Sequence, residues 1–243
     1  MESTEQSPVL TMAELLARSG NESFGPRLGL PTGLKGLDAA MGRLEPGTLT
    51  VLASRPGLGR STLLQNICQW NAGGTFSGGF PKAEEREVVP ILLASTEQSM
   101  EQIMIRALST AARVSRDHLR TGELVDEDIR RLKRAQSILE AAPLYVLAPA
   151  VFTDGQLAEH ARRLVREHQV QLVGVDGPEA MGPGLSLDQA ARTLKTLARE
   201  LAVPVIVTAP SSSLPRCGPC RGGRSGCRPW KTCTTRSPSP RTP

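Results

Sequence analysis

The sequence predicts an α/β fold, a mostly parallel sheet held between helices. Three observations predict it. Continuous apolar runs of strand length alternate with helical patterns from residue 48 to residue 209, and strands that are apolar on both faces need helices on both faces. A Gly-rich stretch, "SRPGLGRST" at 54–62, joins one such run to a helix. A later apolar run, "VQLVGVD", ends on an acidic residue, Asp176, at what would be the ligand edge of a parallel sheet.

The elements follow in order. Residues 1–11 are polar, and "MAELLARSG" has the apolar spacing of a short amphipathic helix, stopped at Gly20. "NESFGPRLGLPTG" reads as a linker and "GLKGLDAAMG" as a brief helix. The turn "EPGT" feeds a strand at 48–54, and a helix follows the Gly-rich loop at about 60–72. After a second Gly-rich loop comes the strand "VVPILLAS" at 88–95. "SMEQIMIRALSTAARV" places Ile103, Ile105, Leu108 and Ala111–Ala112 at helical spacing. "VDEDIRRLKRAQSILEAA" is a helix, acidic first and basic later, which suits its dipole. "LYVLA" is a strand, and "TDGQLAEHARRLVREHQ" a helix with Thr153 as its N-cap. The strand ending at Asp176, the helix "SLDQAARTLKTLARELA" and the strand "VPVIVTA" complete the pattern.

The pattern stops near residue 214. Residues 215–243 hold seven Arg/Lys, six Pro, four Gly and no Asp or Glu, with Trp230 as their only large apolar residue. The net charge of +5 therefore belongs to this tail and says nothing about a nucleic-acid surface on the body, which is near neutral. Cysteines divide the same way: Cys68 lies in a helical apolar pattern and reads as a core residue, whereas Cys217, Cys220, Cys227 and Cys233 lie in the tail. A C-x2-C pair is half a zinc pattern, but the second half is missing and nothing apolar surrounds it. A segment of this composition cannot offset its own ordering entropy. It is expected to be a disordered, basic, Cys- and Pro-rich tail, of the kind that a GC-rich gene yields when read out of frame. Aromatics make up only 3% of the chain, so the core must be aliphatic. No run is long and apolar enough to span a membrane, and no secretory pattern opens the chain, so a cytoplasmic protein is expected.

The chemistry is expected at three places. In a strand–loop–helix, backbone N–H groups converge on one point and the helix dipole adds positive potential there. Gly57 and Gly59 allow close approach to a phosphate. Ser61 or Thr62 can offer a hydroxyl to Mg²⁺, and Arg60 keeps a positive charge where the phosphate-binding loop pattern has Lys. The loop from Ser54 through Arg55, Pro56, Gly57, Leu58, Gly59, Arg60, Ser61 and Thr62 is thus the candidate nucleotide cradle, with a plain helix-starting turn as its alternative. Asp176 can hold Mg²⁺ through water or Ser61, or else merely cap a turn. Glu97, just past the strand "ILLAS", can activate a water, or else favour a helix start capped by Ser95 or Thr96.

These residues resemble a family. "LPTGLKGLDAAMGRLEPGTLTVLASRPGLGRSTL" is similar to the entry of the Walker A segment in the C-terminal ATPase domain of replicative DnaB-type DNA helicases. "STEQSMEQIMIRALSTAARVSRDHLRTGELVDEDIRRL" resembles the same family through its Glu, the Arg of its helix and its R-T-G turn, and "QLVGVD" resembles the Walker B strand. The resemblance implies a RecA-like P-loop NTPase core over residues 27–214, truncated at its C-terminal end, with residues 1–26 as N-terminus and linker helix and 215–243 as tail. It implies ATP and Mg²⁺ as ligands, Glu97 as catalytic Glu, Asp176 as Walker B Asp and Ser61 as the Mg²⁺-side hydroxyl. It further implies a homo-oligomeric ring, a hexamer, that hydrolyses ATP to move along single-stranded DNA in replication.

Three departures point to an alternative. Arg60 replaces the family's Lys, Pro210 stands where a γ-phosphate-sensing Gln is expected, and the arginine finger should lie beyond residue 214. Gly177, Pro178 and Glu179 also replace a Tyr-Leu-Gln run. The segment 177–187, which resemblance would place in a central channel, has no Lys, Arg or aromatic, poor material for a DNA backbone. The alternative is a degenerate, non-catalytic nucleotide-binding or ring-assembly module.

Overall fold

A computed structural model describes residues 29–74, 87–149, 153–178 and 186–211. The expected helix at 12–18, most of the second Gly-rich loop, most of the 177–187 segment and the Cys-rich tail lie outside the described residues.

Among the described residues five strands form one sheet in which every pair is parallel: β1 (Leu49–Ser54), β2 (Ile91–Ser95), β3 (Leu144–Leu147), β4 (Leu172–Asp176) and β5 (Val205–Pro210). Their spatial order is β1-β5-β4-β2-β3. The helices are α1 (Lys35–Met41), α2 (Arg60–Asn71), α3 (Met100–Ala112), α4 (Arg116–Thr121), α5 (Asp126–Glu140), α6 (Asp154–His168) and α7 (Leu187–Leu201).

The period-2 alternation of each strand splits the core into two layers. Leu92 and Ala94, Val173 and Val175, and Val205 and Val207 pack with Leu157 and Ala161 of α6 and Leu194 and Leu197 of α7. Ile91, Leu93, Leu172 and Ile206 face the other way, onto Leu64, Ile67 and Cys68 of α2 and Ile103 of α3. Each such buried Leu, Ile or Val contributes about 1.5–3 kcal/mol. A smaller cluster, Ala112, Val114 and Ala135, ties α3 to α5. Gly174 is the gap in this scheme. A Cβ there would lie 2.7 Å from Cys68 Sγ and 3.1 Å from Leu64 Cδ1, so the missing side chain lets α2 settle against β4.

The sequence reading needs four adjustments. The strand expected at 88–95 begins only at Ile91, because Val89 N–H donates instead to Asn71 O at the end of α2 (3.0 Å). The short helix α4 is an addition to the expected elements; Ser115 caps it through Asp117 N, and Gly122 closes it at φ +79°. α5 is acidic in its first turn but has no basic residue in its last, so only its N-terminus complements the dipole. The helix after Glu97 is capped by Ser99, in a reciprocal box with Gln102, and not by Ser95 or Thr96. Thr153 caps α6 as expected. Cys68 is fully buried, as read.

Candidate functional site

The order β1-β5-β4-β2 brings the carboxyl ends of four strands into one row. Ser54 lies opposite Pro210, and Asp176 opposite Ser95. The loop 54–62, Glu97 and Asp176 all leave the sheet along this row.

Between β1 and α2 the chain turns through Gly57 (φ +80°) and Gly59 (φ +86°). Leu58 N–H donates to Arg55 O (3.3 Å) and Ser54 Oγ to Arg55 O (3.0 Å). A Cβ on either glycine would meet no protein atom within 4 Å, so within the chain itself these positions need glycine for backbone angle. Gly59 is the N-cap of α2 and supplies no side-chain acceptor. The first-turn N–H groups of Arg60, Ser61 and Thr62 thus lack the kind of partner that α3, α6 and α7 obtain from Ser99, Thr153 and Ser186.

Arg60 opens α2 and its Nη2 donates to Glu97 Oε1 at 2.8 Å. The two carry the charges assigned to opposite ends of the expected chemistry, and here they neutralise each other. Glu97 in turn lies against bare backbone: a Cβ on Gly177 would sit 2.6 Å from Glu97 Cγ and 2.6 Å from Thr96 Oγ1. Gly177 also adopts φ +75°, which favours glycine.

Asp176 is buried, with 1% of its surface exposed. Its Oδ1 accepts from Thr208 Oγ1 (2.9 Å), and its Oδ2 from Gln98 Nε2 (2.6 Å) and Ser95 Oγ (3.5 Å). Thr208 Oγ1 accepts from Gly177 N (3.1 Å), and Ser95 Oγ from Gln98 N (3.1 Å). Three elements therefore orient one carboxylate. Its charge is felt further away: burial, then Asp176, push the Cys68 thiol up to about 12. Burial and Arg116 draw Arg106 below its ordinary value, against the pull of Asp176.

Of the residues read from sequence, the structure joins Arg60 to Glu97 and brings Glu97 and Asp176 to adjoining strand ends. Ser61 and Thr62 stand in the first turn of α2. Sequence reasoning does not find Gln98 or Thr208. Each is a neutral residue whose role comes from a partner distant in sequence, and no local pattern marks it. Among the described residues, no group of three His, Cys, Asp or Glu side chains could hold a metal unaided. No helix among them is long and apolar enough to cross a membrane.

The model of the DnaB-like helicase C-terminal domain matches residues 29–214. The chain is 33% identical over 187 residues to the replicative DNA helicase DnaB of Buchnera aphidicola subsp. Baizongia pistaciae (strain Bp), covering 73% of this chain and 38% of that one. It is 32% identical over 203 residues to the DnaB of Pasteurella multocida (strain Pm70), covering 79% of this chain and 40% of that one. The chain thus spans about two fifths of the length of these curated relatives. Among solved structures it resembles a DnaB-like replicative helicase described with its interactions with primase, with a TM-score of 0.65 at 19% identity, over 84% of this chain and 49% of that one. A second solved chain, described as an ATPase domain, has a TM-score of 0.65 at 19% identity, over 82% of this chain and 69% of that one.

Proposed function

Since the chain belongs to the family of DnaB-like helicase C-terminal domains, we propose that it binds ATP with Mg²⁺ at the loop 54–62 and acts as an ATPase domain on single-stranded DNA. The observation that carries this reading is the convergence at one sheet edge. An uncapped helix start, a cation at Arg60, and two carboxylates, Glu97 and Asp176, meet within four adjacent strand ends.

The residues present suit Mg²⁺ bound together with a nucleotide. Mg²⁺ keeps several waters and takes one or two protein oxygens plus phosphate oxygens. The Ser61 hydroxyl is such an oxygen, and the Asp176 carboxylate would hold the ion through one of its waters. The metal would offset charge on the transferring phosphoryl group. The chain's own part is then clear. The loop N–H groups and Arg60 bind the phosphates. Thr208, Gln98 and Ser95 hold Asp176 in one orientation. Glu97 accepts the proton of an attacking water, a role that typically contributes ~10²–10⁴-fold. The family assignment further supports a homo-oligomeric ring, with each subunit meeting the next head to tail.

Titration with a fluorescent ATP analogue and Mg²⁺ tests the binding, and an ATPase assay with and without single-stranded DNA tests the activity. Saturable binding, and hydrolysis that DNA stimulates and Glu97→Gln abolishes, are expected. No saturation up to millimolar ligand would sink the reading.

A second reading is favoured by two observations. Arg60 and Glu97, the two groups turnover needs apart, are paired with each other, and Pro210 closes β5 where a sensing Gln was expected. That reading is a non-catalytic module that binds nucleotide and assembles without hydrolysis. Binding with no hydrolysis above background selects it.

A further inference from the structure

The Arg60–Glu97 pair joins residues 37 apart in sequence, across the mouth of the candidate cradle. Arg60 is mostly shielded, with 14% of its side chain exposed, and Glu97 is 36% exposed. Arg60 uses one guanidinium N–H on Glu97, while its Nε is buried without a partner. A guanidinium has five donors, so the contact leaves Arg60 under-satisfied and able to take an acceptor richer in charge than one carboxylate. Glu97 has a fixed seat as well. Its stem rests on Gly177, whose N–H is tied to Thr208 and through it to Asp176.

We propose that this pair is a latch that the phosphates of a nucleoside triphosphate open. This rests on the reading of the loop 54–62 as the nucleotide site. While the latch is closed, Glu97 Oε1 is engaged by Arg60 Nη2, so that oxygen is not free to meet an attacking water. A triphosphate entering the loop competes for the same guanidinium, draws Arg60 to itself and leaves the Glu97 carboxylate free. Arg60 is then a positioning residue that makes the base available only when phosphate is bound. Because coupling is reciprocal, Glu97 must weaken phosphate binding by as much as phosphate weakens the Arg60–Glu97 contact. Removing the Glu97 charge should therefore tighten binding, and only while Arg60 is present to be released. A partly exposed ion pair, worth up to about 1 kcal/mol, corresponds to about a 1.5- to fivefold effect on affinity.

The test is a double-mutant cycle on the full chain. The probe is a fluorescent, non-hydrolysable ATP analogue with Mg²⁺. The proteins are the parent, Glu97→Gln, Arg60→Met and the double variant. Glu97→Gln is expected to tighten binding roughly 1.5- to fivefold in the parent background and to leave affinity unchanged in the Arg60→Met background. Equal tightening in both backgrounds would mean simple repulsion between Glu97 and phosphate, and would overturn the latch. So would no tightening in either. Thermal melts of the four ligand-free proteins give an independent cycle: the latch requires non-additive shifts, and additive shifts reject it. Arg60→Gln replaces Arg60→Met if the latter does not fold. Binding without coupling removes the latch alone, whereas no saturable binding in any of the four removes the nucleotide-site reading with it.

Discussion

Gly174→Ala is the most informative single change in the core. The new Cβ would sit 2.7 Å from Cys68 Sγ, 3.1 Å from Leu64 Cδ1 and 3.3 Å from Leu93 Cδ1. All three neighbours are buried, and Cys68 and Leu64 belong to α2, so relief requires α2 to move off the sheet by several tenths of an ångström. Overpacking of this kind costs about 1–3 kcal/mol. Replacing a strand glycine returns about 0.5–1 kcal/mol through the unfolded chain. The net loss should be about 1–2 kcal/mol, a fall in Tm of roughly 2–8 °C for a chain of this size. Cys68→Ala alone should cost about 1 kcal/mol, the loss of one buried heavy atom and the small void it leaves. Combined with Gly174→Ala it removes the closest clash, so the double variant should be about as stable as Cys68→Ala. Thermal or urea melts of the four proteins by circular dichroism measure this. Since α2 carries Arg60 at its start, Gly174→Ala should also weaken nucleotide binding. Additive effects of the two changes, or an undiminished Tm in Gly174→Ala, would refute the packing argument.

Thr208→Val removes the donor to Asp176 Oδ1 and the acceptor of Gly177 N–H while keeping the shape. A loss of roughly 1–3 kcal/mol in urea unfolding is expected, with Thr208→Ser close to the parent. Cys68, pushed up to about 12 by burial and then by Asp176, becomes thiolate only far above neutrality. Its alkylation in the native protein should therefore stay negligible from about pH 7 to 9, where an ordinary thiol of pKa near 8.5 accelerates; site-resolved mass spectrometry of labelled native protein checks this. Val51 is 44% exposed on β1, which pairs only with β5 among the described residues. Val51→Lys should reduce self-association in gel filtration, because a charge on an exposed sheet edge discourages strand addition.

How much of this is legible in the sequence depends on how local the cause is. Strands β2, β4 and β5 can be read because both of their faces are covered, which forces unbroken apolar runs such as Leu172–Val173 and Val205–Ile206–Val207. Thr153 can be read as a cap because hydroxyl and helix start are adjacent. In "ASTEQS" three hydroxyls compete for one role, and pairing decides: Ser95 stays in β2 facing Asp176, which leaves Ser99 to cap α3. The helix α4 has only six residues, too few to show a period. Arg60 is legible as a cation in a loop, but its partner is not, since nothing near residue 60 announces residue 97.

The strand order explains why the residues hidden from sequence reasoning matter. With β5 between β1 and β4, the side chain of Thr208 falls beside Asp176 and not beside the loop. Among the described residues, the hydrogen-bond donors to Asp176 are then neutral: Thr208, Gln98 and Ser95. An ionised carboxylate has about four acceptor sites, and these contacts use three. One remains for a donor such as a water held by Mg²⁺, which binds reluctantly without its waters. A direct ion pair with Arg60 would have supplied compensation too, and in doing so would have removed the need for a cation. The structure gives that pairing to Glu97 instead. On the proposed reading the two carboxylates at the edge are thus prepared differently: Asp176 is oriented by dipoles and would hold a cation through water, while Glu97 is paired with a charge that an arriving phosphate would take away.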